Sequence, residues 1–203
     1  VAGFDIGTQA ADVRRHIGYV PQLLSADGQL TGYQNLLLSA RLYSIPVAQR
    51  HARIAEALAE MDLIEFADRL VQHYSGGMIR RLEIAQSLLH RPAILFLDEP
   101  TVGLDPVARR AVWDHVKLIR ERLKTTIIMT THYMDEVDQQ CDRMAFIHHG
   151  RIVDIGAPGA LKAKLNPGAT LDDVFVHLTG ATIEAEGGYG NAERSRRAAQ
   201  EHR

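Results

Sequence analysis

Two adjacent carboxylates, Asp98 and Glu99, follow a run of four apolar residues at positions 94–97. The run predicts a strand buried on both faces, and open α/β sheets bind ligands at the carboxyl ends of such strands. Neighbouring side chains on a strand point to opposite faces, but the end of the strand lets both carboxylates approach one site. There one carboxylate can hold Mg²⁺, and the other can orient or deprotonate an attacking water. The alternative, a solvated acidic pair that only ends the strand, stays open on these residues alone.

A hydroxyl and two glycines, Ser75, Gly76 and Gly77, precede a stretch whose apolar residues recur at helical spacing. At a helix N-terminus the backbone N–H groups are unpaired and the dipole favours negative charge, so this turn can bind an anion. The alternative is a plain cap, with Ser75 as the N-cap. Capping alone explains the glycines poorly, because each costs roughly 1 kcal/mol relative to alanine in a helix. Arg80 and Arg81 are predicted to lie on a solvated helix face.

Short β-like segments alternate with helical patterns, which favours an α/β fold with a mostly parallel sheet. Strands are predicted at 1–4, 17–20, 94–97, 126–131, 144–148 and 151–155, and helices at 31–43, 46–61, 78–89, after 105, at 160–165 and at 171–178. Residues 21–71 contain no convincing strand and are predicted to form a helical insert. Thr31 and Gln34 should form a capping box at its first helix, and Asp105 should cap the helix that follows it.

Composition limits the classes of function. Of the 203 residues 46% are hydrophobic and 24% charged, and the net charge is −2, which argues against a basic nucleic-acid binder. Cys141 is the only cysteine, so the chain cannot form an internal disulfide and a reducing compartment is expected. The apolar runs are much shorter than the roughly 20 residues that cross a bilayer. The tail from about Glu184 is polar and poor in core-forming residues, so residues 181–203 are predicted to be disordered.

The order of these motifs resembles that of the ATP-binding-cassette (ABC) family, and the resemblance extends to about Gly180. The matching elements are the Q-loop at Gln22, the signature motif Ser75-Gly76-Gly77, the Walker B Asp98, the catalytic Glu99, the D-loop Gly103-Leu104-Asp105 and the switch His132. The resemblance implies a P-loop NTPase-like α/β cassette with a helical subdomain. Residues 1–22 would be part of the ATP-binding core, 23–90 the helical signature subdomain, and 91–180 the remaining core, followed by the tail at 181–203.

The resemblance also implies catalytic roles, with ATP and Mg²⁺ as cofactors. Asp98 would hold the Mg²⁺ ion and Glu99 would polarise the hydrolytic water. His132 would donate a hydrogen bond to the γ-phosphate through an imidazole nitrogen. Gln22 would touch the metal or the water and report the nucleotide state to the partner protein.

The same resemblance implies two partners. Two cassettes of this family pack head to tail, so Ser75, Gly76 and Gly77 would contact the ATP held by a second cassette, and Asp105 would link the two protomers. The other partner is a separate integral membrane permease, bound through residues 22–74. The protein would then lie at the cytoplasmic face of the inner or plasma membrane. No nucleic-acid partner is expected.

One motif of the family does not occur in these residues. Phosphates are cradled by Gly-x-x-x-x-Gly-Lys-Ser/Thr, known as Walker A, but none of the lysines, Lys117, Lys124, Lys162 and Lys164, follows a glycine. With no initiator Met, this predicts an N-terminally truncated cassette that is inactive alone. The alternative is a cassette without its own phosphate loop that donates its signature motif to a partner's ATP.

The subtype follows from the signature Tyr74-Ser75-Gly76-Gly77-Met78 and the residues 80–85 after it, which are similar to the daunorubicin-resistance type of multidrug exporter ATPase. Residues 30–36 and 171–180 are similar to the same group. This resemblance implies a subunit that couples ATP hydrolysis to export of a drug-like or other small molecule. The alternative is an ABC ATPase of DNA repair or translation. The compact insert without sustained heptads and the single cassette without a basic linker argue against that alternative.

Overall fold

The computed structural model describes residues 1–180 of the chain. They belong to two compact units, one from Val1 to His132 and one that begins at Tyr133, and each is described by itself. The elements in chain order are α1 (Ala10–His16), β1 (Ile17–Val20), α2 (Gly32–Leu42), α3 (Val47–Glu60), α4 (Gly76–Leu88), β2 (Ile94–Asp98), α5 (Pro106–Leu123), β3 (Thr126–Thr130), α6 (Met134–Gln140), β4 (Met144–His148), β5 (Arg151–Gly156), α7 (Pro158–Leu165) and α8 (Leu171–Thr179). The predicted disordered tail, 181–203, lies outside the described residues.

A three-stranded parallel sheet in the order β1-β2-β3 is the framework of the first unit. Asp98 at the end of β2 pairs in register with Thr130 at the end of β3. Leu95 and Leu97 are buried, whereas the alternating positions of β2 are only partly buried. The prediction that this strand is buried on both faces is therefore wrong for one face. The packed face shares one core cluster with residues of α4 and α5.

The predicted helical insert is present as α2 and α3. The Oγ1 of Thr31 accepts a hydrogen bond from the N–H of Gln34 at 3.1 Å, and the Oε1 of Gln34 accepts one from the N–H of Thr31 at 2.9 Å. The predicted capping box is thus confirmed. Leu36 of α2 and Ile54 of α3 are fully buried in the same core cluster as Leu82 of α4, so the insert packs on the helix that follows the two glycines.

The N-terminal residues differ from the prediction, because 1–4 form a turn and not a strand. The N–H of Phe4 donates to the carbonyl of Val1 at 2.8 Å, and Ala2 and Gly3 have φ of 49° and 86°. Positive φ lies far from the strand region, so the apolar composition of this segment was misleading. The helix α1 was not predicted, because it has seven residues and is too short to show a helical period.

The second unit, as far as residue 180, consists of the antiparallel hairpin β4–β5 and three helices. Gly150 turns the chain with a φ of 73°, as the predicted strand, turn and strand require. The ring of Phe146 in β4 packs on that of Phe175 in α8, with a centroid separation of 5.8 Å. Parallel strands with intervening helices in the first unit and this hairpin in the second confirm the predicted α/β class.

No helix within residues 1–180 is both long enough and apolar enough to cross a membrane.

Candidate functional site

The carboxylate of Asp98 is oriented by side chains from both neighbouring strands. Its Oδ1 accepts a hydrogen bond from the Oγ1 of Thr130 at 2.6 Å, and its Oδ2 accepts one from the hydroxyl of Tyr19 at 3.3 Å. Desolvation, the negative charge of Asp98 and the hydrogen bond to it together raise the pKa of Tyr19. The phenol therefore remains a neutral donor at physiological pH, and the Asp98 carboxylate keeps both of these contacts.

Glu99 follows with a left-handed backbone, at a φ of 47°. Its N–H donates to both the carbonyl oxygen and the Oγ1 of Thr130, at 3.1 Å in each case. A non-glycine residue in this region costs of order 1–3 kcal/mol and persists only where its surroundings fix it. The two bonds to Thr130 supply that constraint. The strand alternation ends here, so Asp98 and Glu99 need not face opposite sides of the sheet.

His132 joins the same group through Glu99. The Nδ1 of His132 lies 2.9 Å from the Oε2 of Glu99, and the two side chains are 40% and 17% exposed. A protonated imidazole in this position would donate from Nδ1 to Glu99 and from Nε2 to a further acceptor such as a phosphate oxygen. The structure thus brings Asp98, Glu99 and His132 together, with Thr130 between the first two.

The donors present fit a magnesium ion of the kind that accompanies a nucleotide. Mg²⁺ commonly takes one or two protein carboxylates and completes its octahedron with phosphate oxygens and waters. Asp98 offers one such carboxylate, held at the end of a parallel strand. The described residues contain no group of three or more His, Cys, Asp or Glu suited to a metal. A metal at Asp98 would therefore depend on the phosphates for most of its ligands.

The signature turn, defined as Ser75, Gly76 and Gly77, opens α4. The Oγ of Ser75 accepts a hydrogen bond from the N–H of Met78 at 3.3 Å, so Ser75 is an N-cap. Ser75 and Gly76 are exposed and Gly77 is buried. A Cβ on Gly77 would lie only 2.8 Å from the Cβ of Ala108 in α5. Close packing of two helices therefore explains Gly77, and no local sequence pattern indicates that contact. Anion binding by the turn stays a prediction.

Asp105 caps α5, as predicted. Its Oδ1 accepts hydrogen bonds from the N–H groups of Val107 and Ala108 at 2.9 and 3.0 Å. The neighbouring Leu104 has its Cδ2 at 3.4 Å from the position of a Cβ on Gly76. The segment 103–105 thus lies directly beside the signature turn. The link from Asp105 to a second protomer stays a prediction.

Gln22 has an exposed side chain and is held through its backbone. Arg80 of α4 donates from Nη2 to the carbonyl of Gln22 at 2.8 Å and from Nη1 to that of Pro21 at 2.6 Å. Arg80 also pairs with Glu83 at 3.0 Å, and each of these two side chains is 2% exposed. The prediction that Arg80 and Arg81 lie on a solvated face is therefore wrong. Arg81 is half-buried and donates to a carbonyl at the end of α3.

Sequence reasoning missed the residues that support the site. Thr130 and Tyr19 act from strands that are adjacent to β2 in space but distant along the chain, so only the sheet register reveals them. Arg80 and Glu83 did carry a local signal, since opposite charges three residues apart on a helix can pair. That spacing predicts the pair but not its burial.

Comparison with known proteins gives the family. A family model described as "ABC transporter" matches residues 2–102. The chain is 42% identical over 186 residues to the daunorubicin/doxorubicin resistance ATP-binding protein DrrA of Streptomyces peucetius, over 92% of this chain and 56% of that protein. It is 36% identical over 179 residues to the linearmycin resistance ATP-binding protein LnrL of Bacillus subtilis, over 88% of this chain and 56% of that protein.

A solved structure agrees with these relatives. The structure titled "Structure of ATP binding subunit of ABC transporter" matches with a TM-score of 0.73 and 26% identity, over 88% of this chain and 74% of that one. The chain belongs to the ABC transporter family of ATP-binding proteins, and it is similar to the drug-resistance type. It spans little more than half the length of the two curated relatives named above. The resemblance and the cassette fold predicted from the sequence are confirmed. The domain boundaries and the roles of the site residues stay predictions.

Proposed function

We propose that this chain is the catalytic part of an ATP-binding subunit that hydrolyses ATP to drive an exporter. The observation that carries the proposal is the continuous series of contacts from Asp98 through Thr130 to Glu99 and from Glu99 to His132. The series lies at the carboxyl end of a parallel strand, where α/β sheets bind ligands. Family membership supports a nucleotide as that ligand.

Each residue has a distinct task in this proposal. The attacking water forms a bond to the γ-phosphorus, the bond between that phosphorus and the bridging oxygen of ADP breaks, and the proton of the water passes to Glu99. His132 donates a hydrogen bond to a γ-phosphate oxygen, and Gln22 contacts the water or the metal. Asp98 would hold a Mg²⁺ ion, which would neutralise charge on the phosphates when bound.

The test fuses a segment that carries the phosphate-loop motif Gly-x-x-x-x-Gly-Lys-Ser/Thr of an ABC ATPase to the N-terminus of this chain, which gives a chimera with a phosphate loop. The chimera should hydrolyse ATP in a Mg²⁺-dependent manner. Glu99→Gln should lower turnover by about 100-fold or more, since a positioned general base contributes about 10²–10⁴-fold, while nucleotide binding persists. Glu121→Gln, an exposed position on α5, makes the same chemical change as a matched control. A folded Glu99→Gln chimera that binds ATP and turns over as fast as the parent chimera would refute the proposal.

The transport role rests on the relatives, whose names state resistance to daunorubicin, doxorubicin and linearmycin. We propose that the partner is a separate integral membrane permease, that residues 22–74 bind it, and that the protein is peripheral at the cytoplasmic face of the membrane. A second cassette would complete a head-to-tail dimer. Affinity purification from membranes should recover a permease. Recovery of ribosomes or DNA in its place would favour the translation or DNA-repair alternative.

A second candidate function is donation of the signature turn in trans. It is favoured by the exposure of Ser75 and Gly76 at the N-terminus of α4, where helix amides favour phosphate. The test mixes this chain with a Walker A-containing cassette whose own signature serine is replaced by arginine. Restored hydrolysis that is lost again with Gly76→Asp would support donation. An unchanged rate on mixing would eliminate it.

A further inference from the structure

The buried pair of Arg80 and Glu83 contacts both ends of the loop of residues 21–26. At the start of the loop, Arg80 donates to two carbonyl oxygens. At its end, Glu83 Oε1 accepts hydrogen bonds from the N–H of Ser25, from its Oγ at 3.1 Å, and from the N–H of Ala26 at 3.3 Å. Arg80 therefore donates to carbonyl oxygens at the start of the loop, and Glu83 accepts from N–H and hydroxyl groups at its end.

Stability of the core is a poor explanation for this pair. Two buried charges lose several kcal/mol of hydration, and well-packed apolar residues commonly stabilise a core equally well or better. Here the two Nη atoms of Arg80 and the carboxylate of Glu83 bond to each other and to backbone groups of the loop, and only the Nε of Arg80 is buried without a partner among the described residues. Apolar side chains could not make these bonds to the loop. The arrangement specifies the conformation of the loop that carries Gln22.

We infer that Arg80 and Glu83 are positioning residues that fix the backbone of the Gln22 loop to α4, so that this loop and the signature turn move as one body. The turn and the pair belong to the same helix, because Ser75 caps α4 and Arg80 lies in its second turn. Displacement of the turn by a phosphate would thus be carried to Gln22 through one rigid helix. The inference rests on the proposed function in one respect, which is that Gln22 and the signature turn contact the nucleotide.

Hydrogen exchange in the full chain, followed residue by residue by NMR, tests the contact. The amides of Ser25 and Ala26 should be protected in the parent. Glu83→Gln keeps the shape but removes the charge, and both amides should then exchange about 10- to 100-fold faster, as expected for loss of hydrogen bonds to a charged group. Glu83→Asp, which keeps the charge but shortens the side chain, provides the same comparison if the glutamine variant does not fold. Equal exchange in parent and variants would overturn the inference.

A matched control and a charge reversal separate positioning from simple ion pairing. Glu56→Gln removes the same charge from exposed pairs with Arg91 and Arg122 and should leave Ser25 and Ala26 protected. The double variant Arg80→Glu with Glu83→Arg restores an ion pair but sets a carboxylate against the loop carbonyls. It should not restore protection, whereas a pair that only stabilises α4 would be rescued by the exchange. The ¹³C shifts of the Pro21 and Gln22 carbonyls should move with Arg80→Gln.

Turnover of the ATPase chimera links the contact to function. Glu83→Gln should lower kcat about tenfold with little change in the KM for ATP, because the loop is displaced while the phosphate contacts remain. Faster amide exchange at Ser25 and Ala26 without any change in kcat would overturn the positioning role. Failure of the parent chimera to hydrolyse ATP would instead refute the proposed function, and the exchange results, which need no nucleotide, would still stand.

Discussion

Replacing Gly77 by alanine tests whether helix packing shapes the signature turn. The added Cβ would lie 2.8 Å from the Cβ and 3.6 Å from the Cα of Ala108, whereas carbon atoms are most stable at about 3.5–4.0 Å. The nearer contact involves a Cβ, which cannot rotate away, so α4 and α5 must separate. Overpacking of this kind costs about 1–3 kcal/mol, and the better helix propensity of alanine returns up to about 1 kcal/mol.

We therefore expect Gly77→Ala to lower the free energy of unfolding by on the order of 1 kcal/mol, which corresponds to roughly 2–4 °C in Tm for a chain of this size. Urea unfolding of the full chain measures the difference. Gly76→Ala is the matched control, since its nearest atom is the side-chain Cδ2 of Leu104 at 3.4 Å, and it should be neutral or slightly stabilising.

A double-mutant cycle isolates the contact. Ala108→Gly is destabilising by itself, by about 1 kcal/mol, but it removes the atom that the added methyl group at position 77 would meet. The double variant with Gly77→Ala should be about 1–2 kcal/mol more stable than the sum of the two single effects predicts. If the coupling is zero, or if Gly77→Ala is as stable as the parent, packing against α5 does not require the glycine, and the anion-binding explanation of the turn gains weight.

Three other expectations concern the same unit. Thr31→Ala should destabilise the chain to urea by about 1 kcal/mol through loss of the capping box, and Thr31→Ser should not. Burial lowers the pKa of His115 from its ordinary 6.5. As the pH falls, the unfolded chain therefore binds a proton at this histidine before the folded chain does, and the free energy of unfolding should fall as the pH drops below 6.5. The variant His115→Gln should show a weaker dependence of the free energy of unfolding on pH. Thr130→Val removes the hydroxyl between Asp98 and the amide of Glu99; turnover of the ATPase chimera should fall about tenfold or more, and Thr130→Ser should retain it.

Elements with local signals could be predicted from the sequence. The helix after Thr31 and the helix after Asp105 have caps and apolar periods within a few residues of each other, and both occur as predicted. Residues 1–4 share the apolar composition of a strand, but a strand also needs a partner, and the backbone there turns at Ala2 and Gly3. Composition carries no information about that partner.

The residues of the candidate site also differ in whether a local sequence pattern indicates them. The position of Asp98 and Glu99 after an apolar run indicates a sheet edge, and the structure places them there beside His132. The hydroxyl of Thr130 depends on register between strands that are more than twenty residues apart, which no local pattern encodes. Arg80 was misjudged because charged residues are rarely buried, and only tertiary partners for its charge make the exception possible.

The first unit supports its candidate residues in two different ways. Asp98 and Glu99 are attached to β2 and β3, where ladder hydrogen bonds and Thr130 fix them to the sheet. The signature turn and the Gln22 loop are attached to one helix, α4, which meets α5 at Gly77 and Ala108 and again at Arg81 and His115. Close packing at Gly77 fixes the start of α4 against α5, so the signature turn is positioned by contacts between helices and not by the sheet. The proposed proton acceptor, Glu99, thus depends on β2 and β3 for its position, whereas the proposed phosphate contacts of the signature turn depend on α4.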